Sequence, residues 1–156
     1  FCYAHHMSTR NTVEDLILIA AIQLNSGANL DKNLHSAFSL IERAKQQGAA
    51  CVVLPENFAW MGRERDADQF SEIPGNGPVQ RFLSQTATEL RLWIIGGSHR
   101  LRAPQDPSQR VSNTSLVFSP QGEQVARYDK IHLFDADVND GKPYMESDTI
   151  RRGESI

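Results

Sequence analysis

The stretch Ala49-Ala50-Cys51-Val52-Val53-Leu54-Pro55-Glu56-Asn57 constrains the fold of this 156-residue chain more than any other. It is a short apolar, β-branched run that stops at a proline and a carboxylate. Proline has no N–H to give to a sheet ladder, so the run reads as a buried strand that ends there. Upstream, residues 29–47 change to a helical period: Leu34, Ala37, Phe38, Ile41 and Ala44 share one face. Asn29 suits the N-cap of that helix and Gly48 the position just past its end. Residues 16–24 before it are a continuous apolar run, read as a strand covered on both faces and broken by Asn25-Ser26-Gly27. Strand, helix, strand within about 40 residues is a βαβ unit, expected to be parallel and right-handed. The expected fold class is therefore α/β. Open α/β sheets bind ligands outside the carboxyl ends of their strands, which is where this pattern places Glu56. A carboxylate delivered there by a rigid strand is a candidate general base.

Past Glu56, residues 57–77 carry Phe58, Trp60, Met61 and Phe70 among charges and end in Pro74-Gly75-Asn76-Gly77. A long loop at a strand's carboxyl end is where binding segments sit, and aromatics that close the core under the loop are an equal reading. Pro78 suits the first turn of a second helix, whose apolar face is Val79, Phe82, Leu83, Thr86, Ala87 and Leu90. Residues 92–97 form a third strand ending in Gly96-Gly97. No phosphate-loop pattern accompanies that pair, so close packing of a neighbouring backbone is its expected use. Residues 102–110 read as a polar loop. Two β-rich runs, 112–118 and 124–131, joined through Ser119-Pro120-Gln121-Gly122, read as a hairpin. Residues 137–153 are expected to be loop-like.

Composition excludes several partners. A formal charge of −3 gives no electrostatic case for nucleic acid or an anionic membrane. The longest apolar run, 16–22, is far short of the roughly 20 residues of a membrane span, and no charged segment with a cleavage site precedes it. Cys2 and Cys51 show neither disulfide nor metal spacing, which favours a reducing compartment, so a cytoplasmic location is expected. The adjacent pair His5 and His6 reads as solvated rather than metal-binding. Residues 1–15 are polar and aperiodic, a disordered N-terminal tail by expectation, with residues 16–156 as the folded domain. Six residues precede the first methionine, Met7, and the chain ends in a turn-like sequence, so a fragment is expected.

A second feature concerns Tyr128-Asp129-Lys130-Ile131-His132-Leu133-Phe134-Asp135. A lysine among these apolar neighbours is partly desolvated unless paired, so a nearby acid is expected; a surface lysine lying over apolar neighbours is the plainer alternative. Beyond it, Tyr144-Met145-Glu146-Ser147 offers one further carboxylate. Taken together, Leu54-Pro55-Glu56-Asn57 resembles the glutamate motif of the nitrilase superfamily of carbon–nitrogen hydrolases. The segment around Lys130 is similar to that family's lysine motif, and the one around Glu146 to a segment carrying its second glutamate. Order and separation agree, and the resemblance runs from about residue 16 to the end.

The resemblance implies a nitrilase-type α-β-β-α sandwich, present here as an incomplete, N-terminal part. It implies that Glu56 is the general base for a cysteine thiol, that Lys130 stabilises the oxyanion, and that Glu146 supports Lys130. It implies neither metal nor organic cofactor, a small-molecule amide as substrate, and a homo-oligomer when full length. The segments 57–62 and 141–147 look most like the omega-amidase and deaminated-glutathione amidase branch. The family's nucleophile lies in a Gly-x-x-x-Cys-Tyr-Asp motif downstream of the second glutamate, and no such motif occurs here. Cys51 is expected in the core, on the face opposite Glu56, and Cys2 lies in the tail, so the chain alone is expected to be inactive. The competing expectations are a non-catalytic nitrilase-fold piece that only packs with a partner and, against the lack of a phosphate loop, a nucleotide-binding module.

Overall fold

A computed structural model describes residues 16–102, 110–137 and 144–155. The expected N-terminal tail, with Cys2, His5 and His6, lies outside the described residues. Strand β1 (Ile19–Ala21) and strand β2 (Cys51–Val53) run parallel, Ala20 opposite Val52, with helix α1 (Leu30–Gln46) between them. Asn29 caps α1 as its side-chain oxygen accepts the Lys32 N–H at 2.9 Å, and Gly48 follows at a φ of 91° that favours glycine. Helix α2 (Pro78–Leu90) opens on Pro78, and strand β3 (Trp93–Ile95) lies parallel to β2. Both helices cover one face of the sheet. Ala37 and Ile41 of α1 and Leu83 and Ala87 of α2 are wholly buried against Val52, Ile94 and Leu116. Strand alternation sends Cys51, Val53, Trp93 and Ile95 to the opposite face, which no helix covers among the described residues.

Strands β4 (His99–Arg102), β5 (Val111–Phe118) and β6 (Gln124–Asp129) complete a six-stranded sheet. The hairpin expected around Gly122 is β5–β6. Since β3 and β6 both pair with residues 117 and 118 of β5, they lie on opposite edges of it. Strands β4 and β6 both pair with Thr114, so they too are on opposite edges. It follows that β3 and β4 lie end to end along one edge of β5. Ile95 is opposite Val117 and His99 opposite Thr114, so four steps on one strand match three on the other. The extra residue is a β-bulge at Gly96-Gly97-Ser98, and it reverses the alternation. Even-numbered Ile94 faces the helices in β3, whereas odd-numbered His99 and Leu101, both buried, face them in β4.

Several expectations change. Residues 16–24 do not form a strand covered on both faces: β1 is short, lies at the sheet's edge, and leaves Ile19 exposed. Arg102 belongs to β4 rather than to a loop, and residues 103–109 lie outside the described residues. Part of the loop-like stretch 137–153 is ordered. Strand β7 (Asp135–Ala136) pairs with β8 (Tyr144–Met145), and a 3-10 helix (Glu146–Asp148) follows. Of the loop aromatics, Phe58 is buried in the core, as the closure reading expects, whereas Trp60 and Phe70 are half-buried and stack on each other with centroids 4.7 Å apart, and Met61 stays exposed.

The buried carboxylate Glu72 was not anticipated. It accepts the backbone N–H groups of Val79 and Gln80 and the Gln80 side-chain amide, so it caps the first turn of α2 from outside the helix. A Cβ on Gly77 would collide with this carboxylate. Burial alone raises the Glu72 carboxyl; the neighbouring His99 ring and the donors from Gln80 and Val79 outweigh it and hold the group below its ordinary value. His99 Nε2 stands 3.6 Å away, beyond hydrogen-bond length, so the direct amide donors are the stronger cause. The folded chain thus binds fewer protons here than the unfolded chain. That contribution to stability is present above the ordinary carboxyl value and is lost as pH falls through it towards the lower folded value. Glu72→Gln is expected to be less stable at neutral pH and to lose less stability than the parent between about pH 5 and about pH 3. Urea midpoints measured at both ends of that range check this, and equal losses would refute it.

Candidate active site

Glu56 stands just past the carboxyl end of β2, in a turn built against the bulge. The Ser98 N–H donates to the Pro55 carbonyl at 3.4 Å, and the Asn57 N–H donates to Ser98 Oγ at 3.1 Å. Asn57 has a φ of 52°, a left-handed conformation that asparagine tolerates better than most residues. The segment beyond is tied to the start of α1. The buried Asn33 amide donates to the carbonyls of Gly27 and Ala59, and Ser26 Oγ donates to the Phe58 carbonyl at 2.7 Å. Gly97, at a φ of 54°, packs directly on this turn, and a Cβ there would strike the carbonyl oxygens of Leu54 and Pro55. The glycine pair is thus used for close backbone packing.

The turn presents Glu56 to Lys130, which follows β6. Lys130 Nζ donates to Glu56 Oε1 at 3.2 Å, and lies 3.2 Å from Oε1 and 2.9 Å from Oε2 of Glu146. Glu146 Oε2 also accepts the Phe134 N–H at 2.6 Å. The structure therefore brings Glu56, Lys130 and Glu146 into one cluster. A fourth member, Asn113 of β5, donates from Nδ2 to Glu56 Oε1 at 2.7 Å. Sequence reasoning missed Asn113; the available signal was an asparagine inside a β-rich run, where that residue is disfavoured. Side-chain exposure is 27% for Lys130, 20% for Glu146 and 55% for Glu56, so Glu56 is the member most open to an approaching molecule. Burial alone pulls the Lys130 ammonium down, but its bonds and charge pairing with Glu146 and Glu56 outweigh burial and hold it above the ordinary lysine value. It is a fixed cation at neutral pH.

A cavity of about 320 Å³ opens beside the cluster on the uncovered face, lined by Glu56 and Lys130 together with Val53, Ile95, Ser115 and Tyr128. Cys51 does not line it. The expectation that Cys51 is packed in the core, facing away from Glu56, needs correction. Cys51 is half-buried on the uncovered face, the side on which this cavity lies, because the chain turns after Pro55 and strand alternation no longer holds at Glu56. Burial pushes its thiol up, which makes it a poor nucleophile. Among the described residues, no group of three or more His, Cys, Asp or Glu is placed to hold a metal ion, and no helix is long and apolar enough to cross a membrane.

A lysine thus lies between carboxylates from separate segments, past the strand ends of an α/β sheet. The family of proteins described as carbon–nitrogen hydrolases matches residues 18–156, and the chain belongs to that family. It is 38% identical over 138 residues to a deaminated glutathione amidase of Synechocystis, covering 88% of this chain and 50% of that protein. It is 37% identical over 139 residues to omega-amidase NIT2 of Homo sapiens, covering 88% of this chain and 48% of that protein. The chain thus spans about half the length of the curated relatives it matches. Among solved structures, Saccharomyces cerevisiae Nit3, a member of branch 10 of the nitrilase superfamily, superposes with a TM-score of 0.67 at 31% identity over 83% of this chain and 46% of that one. The C. elegans NitFhit protein superposes at 0.68 with 28% identity over 87% of this chain and 33% of that one. The fold is the expected nitrilase type in part: the described residues supply one helical layer and one large sheet.

If Gly97 sets the turn that carries Glu56, Gly97→Ala is expected to destabilise the chain by about 2 kcal/mol or more through clash and backbone strain. Gly27→Ala, where an added Cβ meets nothing within 4 Å, is the control. Chemical denaturation of both variants checks this, and a Gly97→Ala midpoint equal to that of the control would overturn it.

Proposed function

We propose that this chain is the part of an amidase that supplies the base and the oxyanion-stabilising cation, acting on a small linear amide of the omega-amide or deaminated-glutathione type. The observation that carries the reading is the Lys130 ammonium held between Glu56 and Glu146 at the edge of an open cavity. In this reading a cysteine thiol gives its proton to Glu56 and its sulfur attacks the amide carbon. The carbonyl electron pair moves onto oxygen, where Lys130 stabilises the charge as a cation that needs no reorganisation. Collapse of the intermediate expels ammonia or an amine, which takes the proton from Glu56, and water then hydrolyses the thioester. Glu146 keeps Lys130 aimed and charged. The chemistry as written calls for no metal or organic cofactor.

The thiol comes from the portion of the fold that the relatives have and this chain does not span, since Cys51 is off the cavity and its thiol is raised by burial. A cytoplasmic location and assembly of the full-length protein into a homo-oligomer belong to the same proposal. The rival reading is a non-catalytic nitrilase-fold piece that acts only by packing with a partner. A reading frame that continues into a Gly-x-x-x-Cys-Tyr-Asp segment selects the enzyme; one that does not selects the rival.

The 156-residue chain by itself is expected to release no ammonia from small omega-amides, and cysteine-dependent release would overturn this account of the nucleophile. In a protein that includes the downstream cysteine, Lys130→Ala is expected to lower kcat by about 100-fold or more with the thermal midpoint retained. An unchanged rate would refute the role given to Lys130.

A further inference from the structure

We propose that Asn113 is a positioning residue for the base, and that it decides which oxygen of Glu56 receives the thiol proton; this rests on the amidase reading above. Asn113 lies inside β5 and is only 4% exposed. Its position is unfavourable on two counts. Asparagine is depleted in strands, and its Oδ1 is buried without a partner, which is destabilising. What the residue provides is its donor. Asn113 Nδ2 sits 2.7 Å from Glu56 Oε1, and turning the amide over would set a carbonyl oxygen against a carboxylate. The orientation is fixed by charge.

The same residue holds the second member of the cluster by its main chain, since the Asn113 carbonyl accepts the Lys130 N–H at 2.9 Å. One buried residue therefore sets the spacing between a base and a cation that are 74 positions apart in the chain. The result is an asymmetric carboxylate. Glu56 Oε1 takes both the Asn113 amide and the Lys130 ammonium, and among the described residues no donor is placed on Oε2. The lone pairs of Oε2 are free to accept a proton, while those of Oε1 are engaged. The thiol S–H bond breaks towards Oε2, the sulfur's electron pair forms the bond to the amide carbon, and Oε1 stays anchored so that the carboxylate does not rotate away.

Two measurements test this. In the 156-residue chain, one side-chain amide proton of Asn113 is expected to be shifted downfield and slowed in exchange by nitrogen-15 NMR. Glu56→Ala, at an exposed side chain, should return it to the ordinary position, and no change would overturn the proposal. In the protein that includes the downstream cysteine, Asn113→Leu keeps the side chain's size and removes the donor. Its kcat is expected to fall by about 100-fold, with KM within about twofold, because the base is misplaced while the substrate site is kept. Asn113→Asp, which sets a like charge on Glu56, should lose at least as much, and Asn113→Gln should recover part of the loss. Normal kcat in Asn113→Leu alongside a dead Glu56→Gln would sink the positioning role alone. Retained turnover in Glu56→Gln would sink the amidase reading itself.

Discussion

Strand β5 is the constraint on which the rest depends, because it is hydrogen-bonded along both edges and feeds both the core and the cluster. Its outer half sends Leu116 and Phe118 under the helices and pairs with β3. Its inner half pairs with β4, joins Glu56 to Lys130 through Asn113, and ties down the segment after Glu146. The Val111 N–H donates to the Thr149 carbonyl, and the Arg151 N–H donates to the Val111 carbonyl at 2.7 Å. Carboxylates and a cation from three distant parts of the chain are therefore referred to one rigid element, as a site that must hold geometry requires.

The cluster contributes little to stability. Ion pairs with a partner as exposed as Glu56 are worth little in water, whereas a wholly buried Ile41 or Leu83 removes its full side chain from solvent. Stability is concentrated between the helices and the face of the sheet they cover. The face on which the cavity opens carries half-buried and exposed apolar side chains, Cys51, Val53 and Trp93 among them. The molecule is thus divided into a packed side that fixes the strands and an open side where the chemistry is arranged.

Much of this was legible in the sequence because it follows from local rules. The Asn29 cap, the proline that opens α2, the two helix faces and the hairpin at Gly122 each depend on residues close in the chain. Strand β4 was not legible, since His99-Arg100-Leu101-Arg102 holds a single apolar residue and the bulge before it reverses the alternation; its last residue reads as part of the polar loop and the others point to no element. Glu72 was missed because it caps a helix that begins after an intervening turn. Cys51 was misplaced because alternation was extended past a proline where the backbone turns. The three charged members of the cluster could be named from motif resemblance, and spacing alone would have left Lys130 open to a surface reading. Asn113 depends on cross-strand register, which no local pattern encodes.

The bulge at Gly96-Gly97-Ser98 carries a consequence for how the chain can vary. Deleting one residue there would leave strand length nearly unchanged but would exchange two rows of side chains. Arg100 and Arg102 would enter the rows now held by His99 and Leu101, opposite Thr114 and Ser112 and beneath the helices. Two guanidinium groups would then take the buried places of His99 and Leu101, where Glu72 is already engaged by Val79 and Gln80 and Leu101 packs in the core. This short segment is therefore a point of fixed length in the chain.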